Sequence, residues 1–269
     1  RRGVPAVVDC GVFPGMGSAL IGRAAAEMAR LDRVLVCVGG LPRVRRQPLE
    51  YAAVFSPADV IEEYVRPARF RRDGQLIVRP ALSDVELLDL PGVGTVEAFN
   101  TDGLRTLLQT VDAPDMQEKT IRYPGHARKM ALLRDCGFFA SEPVEIDGRP
   151  VRPVDLTSRL LFPLWKLAPD EGDITVMRIL VEGERDGRRV RLTWDLLDEY
   201  DDEGGISSMA RTTGYTATQV VRLLAEGRYA TPGITPPEYL GRAGECVERM
   251  LAGLAARGVV YRLEETVLD

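Results

Sequence analysis

The stretch TVMRILVEGERDGRRVRLTW, residues 175–194, constrains this chain more than any other. Met177, Ile179 and Val181 alternate with other residues on one arm, and Val190, Leu192 and Trp194 do so on the second, which is the two-residue period of a strand with one buried face. Asp186-Gly187 between the arms supplies the positive φ values that a two-residue turn needs to match strand twist. The stretch is therefore a β-hairpin, apolar on one face and rich in Arg and Glu on the other. ARFRRDGQLIVRPAL repeats the pattern around Asp73-Gly74 and predicts a second hairpin.

Helical periods surround these hairpins. Met16, Leu20, Ala24, Met28 and Leu31 predict a helix over 14–31, and RVLVCVGG then reads as a buried strand ending in two glycines. Met16 and Met28 are packing residues on this reading. VVDCGVF before the helix reads as the end of another buried strand. SPADVIEEY opens a helix with Ser56 as N-cap and Pro57 at the first helical position, where its missing N–H is no loss. GVGTVEAFNTDGLRTLLQTV and KTIRYPGHARKMALLRDCG each pass from strand to helix, the second closed by Gly137. The last sixty or so residues read as mostly helical, with a capping box at Thr216 and Gln219 and stops at Gly227 and Gly258. Linkers are expected at 170–173 and 201–205. Irregular mixing of strands and helices with antiparallel hairpins gives an α+β class, a mixed, largely antiparallel sheet covered by helices with a helical C-terminal segment.

The chain has 269 residues, 45% of them apolar, enough for a sizeable core. The net charge is −5, with both signs spread along the chain, so nucleic acid is not an expected partner; the basic loop RVRRQP at 43–48 reads as solvated. No apolar run is long enough to span a membrane, and RRGVPAVVDC lacks a signal-peptide core, which predicts a cytoplasmic protein with no membrane partner. Cys10, Cys37, Cys136 and Cys246 lie far apart with no CxxC, the pattern of reduced, buried thiols; no metal site is expected. No GxGxxG follows a strand, so the usual pyrophosphate fingerprint is missing.

Three stretches set polar residues between a strand end and a helix: DCGVFPGMGS, AFNTDGLRT and IRYPGHARK. Strand ends of this kind converge on a crevice. His126 is the sole histidine and the side chain best suited to proton exchange near neutral pH, although a lone histidine also serves a structural role. Arg122 beside it has a fork that grips a carboxylate; the alternative is an ion pair with a Glu on a neighbouring strand. Asn100, Thr101 and Asp102 form either a polar pocket wall or a cap for the helix that follows.

Taken in order, DCGVFPGM, VGGLP, PLEYAAVFSPADVIEEYVRPAR, GVGTVEAFNTDGLRTLL, KTIRYPGHARKMALL and SSMARTTGYTATQVVRLLAEG…GITPPEYLG resemble the saccharopine dehydrogenase family, including lysine 6-dehydrogenases, from residue 7 to about 261. The resemblance implies a substrate domain of a Rossmann-type dehydrogenase: residues 1–31 as the end of the Rossmann part and a connecting helix, 32–200 as the α+β substrate domain, and 201–269 as a segment packing back on the Rossmann part. It implies that the Rossmann part itself precedes this chain and holds most of an NAD or NADP cofactor. Gly11, Pro14 and Gly15 would face the nicotinamide; Asn100, Thr101, Arg122 and Tyr123 would bind an amino-acid substrate; His126 would be catalytic or touch the substrate. The implied reaction is oxidation of the C–N bond of a saccharopine- or lysine-type amine to an imine, followed by hydrolysis. A non-catalytic binding or oligomerisation module is the alternative, and a homodimer through hairpin edge strands is compatible with either.

Overall fold

The computed structural model describes residues 3–168 and 171–268. In chain order the first half contains β1 (Pro5–Val7), α1 (Met16–Glu27), β2 (Arg30–Pro42), α2 (Pro57–Val65), β3 (Ala68–Arg72), β4 (Gln75–Arg79), β5 (Glu86–Leu90), β6 (Gly94–Asn100), α3 (Leu107–Thr110), β7 (Asp115–Arg122) and α4 (His126–Asp135). The second half contains β8 (Val144–Ile146), β9 (Arg149–Val151), α5 (Pro153–Trp165), β10 (Asp173–Arg185), β11 (Arg188–Glu199), α6 (Ser208–Ala225), β12 (Gly233–Thr235), α7 (Glu238–Gly241), α8 (Cys246–Ala255) and β13 (Tyr261–Val267).

Both Asp-Gly hairpins form in the predicted register. Arg185 pairs with Arg188 across Asp186 and Gly187, at φ 53° and 74°, and Arg72 pairs with Gln75 across Asp73 and Gly74, at 49° and 75°. Met177, Ile179, Val181, Val190, Leu192 and Trp194 are buried together, and a bidentate Arg178–Asp195 pair lies on the opposite face. The main sheet runs β13-β11-β10-β2-β7 and then forks. The start of β7 pairs with β3 at Arg71↔Met116, while its end pairs with β6 from Lys119 to Arg122. In this sheet β2 and β7 are the parallel pair and the rest is antiparallel, so the class is α+β with a mixed, largely antiparallel sheet.

Helices α1, α6 and α8 cover one face of the long strands in the main core, where Met16, Leu20, Ile179, Trp194 and Leu254 meet. A second, aromatic core under α2, α4 and α5 contains Tyr51, Tyr64, Phe99 and Trp165. Ser56 caps α2 by accepting from Asp59 N, with Pro57 at its first position, as the sequence predicts.

Several expectations are corrected. The VVDC strand is the three-residue β1, half-exposed and paired with β12 instead of lying in the core. Helix α6 starts at Ser208, so Thr216 is not its cap but lies inside, its hydroxyl donating to Thr212 O; Ser207 is the cap. Burial of Ser208, Thr212 and Thr216 against the sheet outweighs the weak helix propensity of SMARTTG. The tail closes with β13 on the edge of β11, an unforeseen strand whose residues are largely exposed. Helix α5 was hidden by Pro153, which sits at its first position, and Pro163 near its end. Residue 170 of one expected linker lies outside the described residues, and Asp173 at its other end is fully buried. The 201–205 segment is a tight turn bridged from Asp201 to Ile206. Cys136 is exposed, unlike the buried thiol expected. Among the described residues, no helix is long and apolar enough to cross a membrane.

Candidate functional site

A cavity of about 740 Å³ opens where the sheet forks, a volume in the range of small-molecule sites. The Cys10–Pro14 loop and the end of β2 at Val38, Gly39 and Gly40 form one wall. The Thr101–Gly103 turn after β6 and the α2 face carrying Asp59, Glu62 and Glu63 form another. Met209 and Thr213 of α6 close it. The floor is β7, whose Glu118, Thr120 and Arg122 share one face at the two-residue strand period.

Glu118 stands between the two pairings of β7 and is 4% exposed. Thr101 Oγ1 lies 2.8 Å from Glu118 Oε2 and 2.7 Å from Thr120 Oγ1, and Gly103 N–H donates to Oε2 at 2.9 Å. A Cβ at Gly103 would come within 2.6 Å of this carboxyl, so any larger residue there pushes the Glu118 side chain aside. Burial raises the Glu118 carboxyl to about 8, the Thr101 hydrogen bond opposing only in part. It therefore exchanges a proton near physiological pH.

Arg122 is 2% exposed. Its Nη2 donates to Glu63 Oε2 at 3.1 Å and to Tyr51 OH at 3.4 Å, and its guanidinium lies over the Tyr51 ring, 4.6 Å from the centroid. Burial works against the charge, but Tyr51, Tyr64 and Glu63 keep Arg122 protonated. Its Nη1 donates to Ile121 O at 2.8 Å, and its Nε is fully buried with no hydrogen-bond partner among the described residues. Desolvation raises the Glu63 carboxyl above its ordinary range despite Arg122.

Helix starts near the cavity offer few free N–H groups. Met16 N and Gly17 N of α1 donate to Gly11 O and Val12 O, and Gly15 N donates to Ser18 Oγ. Glu97 accepts from Gly125 N and Ala127 N at α4. At α6, Asp173 accepts from Ser208 N and Met209 N, and Ser207 accepts from Ala210 N. Cys10 lines the cavity, yet burial pushes its thiol up to about 11 and makes it a poor nucleophile.

Residues 9–259 match the family described as saccharopine dehydrogenase C-terminal domain. The chain belongs to this family. Bovine mitochondrial alpha-aminoadipic semialdehyde synthase is 22% identical over 342 aligned positions, covering 98% of this chain and 36% of that protein. Carboxynorspermidine synthase of Vibrio cholerae is 23% identical, covering 89% of this chain and 59% of that protein. The chain thus spans about a third to three fifths of these relatives' length. Among solved structures, apo saccharopine dehydrogenase (L-Glu forming) from Saccharomyces cerevisiae superposes with a TM-score of 0.77 at 19% identity, over 99% of this chain and 75% of that one. Homospermidine synthase from Legionella pneumophila in complex with NAD gives 0.59 at 13% identity, over 99% and 64%. These likenesses establish the saccharopine dehydrogenase-type fold.

Within this family fold, Gly11, Pro14, Thr101 and Arg122 meet at the cavity, whereas Gly15, Asn100, Tyr123 and His126 do not line it. Gly15 has φ 142°, and a Cβ there would fall on the Gly11 backbone, so its freedom shapes the loop itself. Asn100 is spent on structure: its amide donates to Ser83 Oγ and Asp84 Oδ2, and its oxygen accepts from Gln117. The Tyr123 hydroxyl donates to Pro42 O. His126 lies behind Arg122 in the aromatic core. Its Nδ1–H donates to Leu49 O at 3.3 Å, and Nε2 accepts from Tyr64 OH at 2.8 Å. Burial, then the Arg122 charge, lower it to about 3, so it is neutral near pH 7 and does not change charge there. The ion-pair alternative for Arg122 is present too, with Glu63 of α2 instead of a neighbouring strand. Sequence reading passed over Glu118 and Glu63. The alternation Glu118, Thr120, Arg122 on a strand was the available signal, since an acid on the face of a buried Arg needs a partner or a task.

Proposed function

We propose that this chain is the substrate-binding part of an NAD(P)-dependent oxidoreductase that acts on the C–N bond of an amino acid. The observation that carries the reading is one cavity lined by a buried arginine, Arg122, and, on the same face of β7, a buried carboxyl, Glu118, pushed up to about 8. The family, and relatives named as a dehydrogenase and as amine synthases, support it.

The described residues fit only part of a dinucleotide. Gly11, Phe13, Pro14, Val38, Gly39 and Gly40 form an apolar wall with bare backbone, against which a planar ring can lie. The internally capped helix starts give its phosphates no cradle here. When bound, the nicotinamide supplies the hydride acceptor. Arg122 grips the substrate carboxylate and fixes the amine carbon against that wall. Glu118, once ionised, takes the proton from the amine nitrogen, and Thr101 and Thr120 orient its carboxylate. Loss of a hydride from carbon and a proton from nitrogen leaves a C=N bond, which water opens to a carbonyl and a free amine.

The test is NAD(P)H formation by the full-length protein with L-lysine and saccharopine, using each cofactor. Turnover with either amine is the expected result, and a protein that binds no amine and reduces neither cofactor overturns the reading.

A further inference from the structure

Helix α5 is apolar on both sides. Thr157, Leu161 and Trp165 recur every four residues on its inward face, where all three are buried. Leu156, Leu160 and Leu164 recur at the same interval one position earlier, and each is more than half exposed. A surface helix ordinarily carries charge on its wet side, so a second apolar stripe marks a face that something covers. The segments at the two ends of α5 differ in kind. Before it, the β8–β9 hairpin stands as a sheet of its own, turning at Asp147-Gly148, and every residue of β8 is exposed. Two strands alone are marginal in water, yet Val144 and Ile146 share one face of this hairpin, both about half exposed. Glu142 and Asp147 flank that face, exposed and with no ion pair among the described residues. After α5, a second cavity of about 460 Å³ is lined by Pro48, Leu49, Pro163, Leu164 and Leu167, with Lys166 at its rim. Lys166 is exposed and has no carboxylate partner among the described residues, while Arg46 beside it is matched by Glu171. One end of the leucine stripe is therefore an apolar, acidic projection, and the other an apolar, basic hollow.

We propose that this face binds a second copy of the chain across a two-fold axis at Leu160. Antiparallel packing of the two α5 helices sets Leu156 of each copy against Leu164 of the other. The same operation carries each hairpin, which ends at Val151 just before Pro153 opens the helix, to the far end of the opposite α5. There Val144 and Ile146 enter the hollow beyond Leu164, and Asp147 approaches Lys166. A surface with acid at one end and base at the other complements its own copy in this antiparallel sense, which is the condition for an isologous contact. The edge of the main sheet is less suited to pairing, because β13 carries Arg262, Glu264 and Glu265 in the open.

Sedimentation velocity of the full-length protein at micromolar concentration tests this, with circular dichroism to show that each variant is folded. The unsubstituted protein is expected to sediment as a dimer. Leu160→Asp, at an exposed position on the axis, is expected to raise the dimer dissociation constant at least a hundredfold with an unchanged spectrum. Lys166→Glu should weaken the dimer at least tenfold, and Asp147→Lys added to it should restore most of that loss, because the pair is then reversed and intact. A dimer indifferent to Leu160→Asp, such as one joined through sheet edges, overturns the assignment, and so does a charge reversal without rescue. A protein that is monomeric at these concentrations overturns it as well, and if Leu160→Asp then lowers the thermal midpoint, another part of the same chain covers the stripe.

Discussion

Glu118 and His126 are two buried titratable groups pushed in opposite senses by similar surroundings, and their pH behaviour separates their roles. Burial keeps Glu118 protonated up to about 8. Between its ordinary carboxylate value and that point the folded state holds a proton the unfolded chain has lost, so stability falls as pH rises through this window. Glu118→Gln is expected to remove that slope, worth on the order of a few kcal/mol, in chemical denaturation at pH 5 and pH 8. In amine oxidation it should also lower kcat/KM by about a hundredfold and abolish the rise toward pH 8. His126 behaves inversely: folded, it stays neutral down to about 3, so stability falls as pH drops below its ordinary value. His126→Gln should cost about 1–3 kcal/mol through the lost Tyr64 and Leu49 partners while leaving the pH profile of turnover unchanged. A changed profile would return His126 to the chemistry. The sequence marks His126 as special because it is the sole histidine, but burial decides its use, and burial is set by Tyr51, Tyr64 and Trp165 from distant segments.

At the level of elements, local signals were legible wherever the chain itself imposes the conformation. Asp-Gly at both hairpin turns and Ser56-Pro57 at α2 act through φ and capping alone, and each forms as read. What was not legible depends on contacts far along the chain. The first turn of α6 is held by Asp173, thirty-five residues earlier, and β13 exists because β11 offers it an edge. The fork of the sheet, and with it the place of Glu118 between the two pairings, comes from β3 and β6 taking opposite ends of β7, which no local pattern encodes. Asp173→Ala should therefore cost about 1–3 kcal/mol and raise amide exchange at Ser208 and Met209 before the rest of α6. Uniform exchange along α6 would mean that the cap does not set its start. Gly103→Ala tests the turn over the carboxyl: displacement of Glu118 should lower kcat at least tenfold while the thermal midpoint falls by only a few degrees.

Across the whole molecule, the long hairpin of β10 and β11 fastens β2 in the middle of the sheet, and β2 with β7 forms the parallel pair whose ends meet at the cavity. Residues from both ends of the chain close that cavity, the Cys10–Pro14 loop on one side and α6 on the other. The site is thus a product of the complete fold. The central element of the proposed function is Arg122 as the anchor for a substrate carboxylate. The most direct measurement is KM in the full-length protein with Arg122→Lys, comparing an amino-acid substrate with the corresponding amine that lacks the carboxylate. Loss of the fork should raise KM for the amino acid at least tenfold and leave the simple amine nearly unaffected. Equal effects on both, or no change in KM for the amino acid, would contradict the assignment.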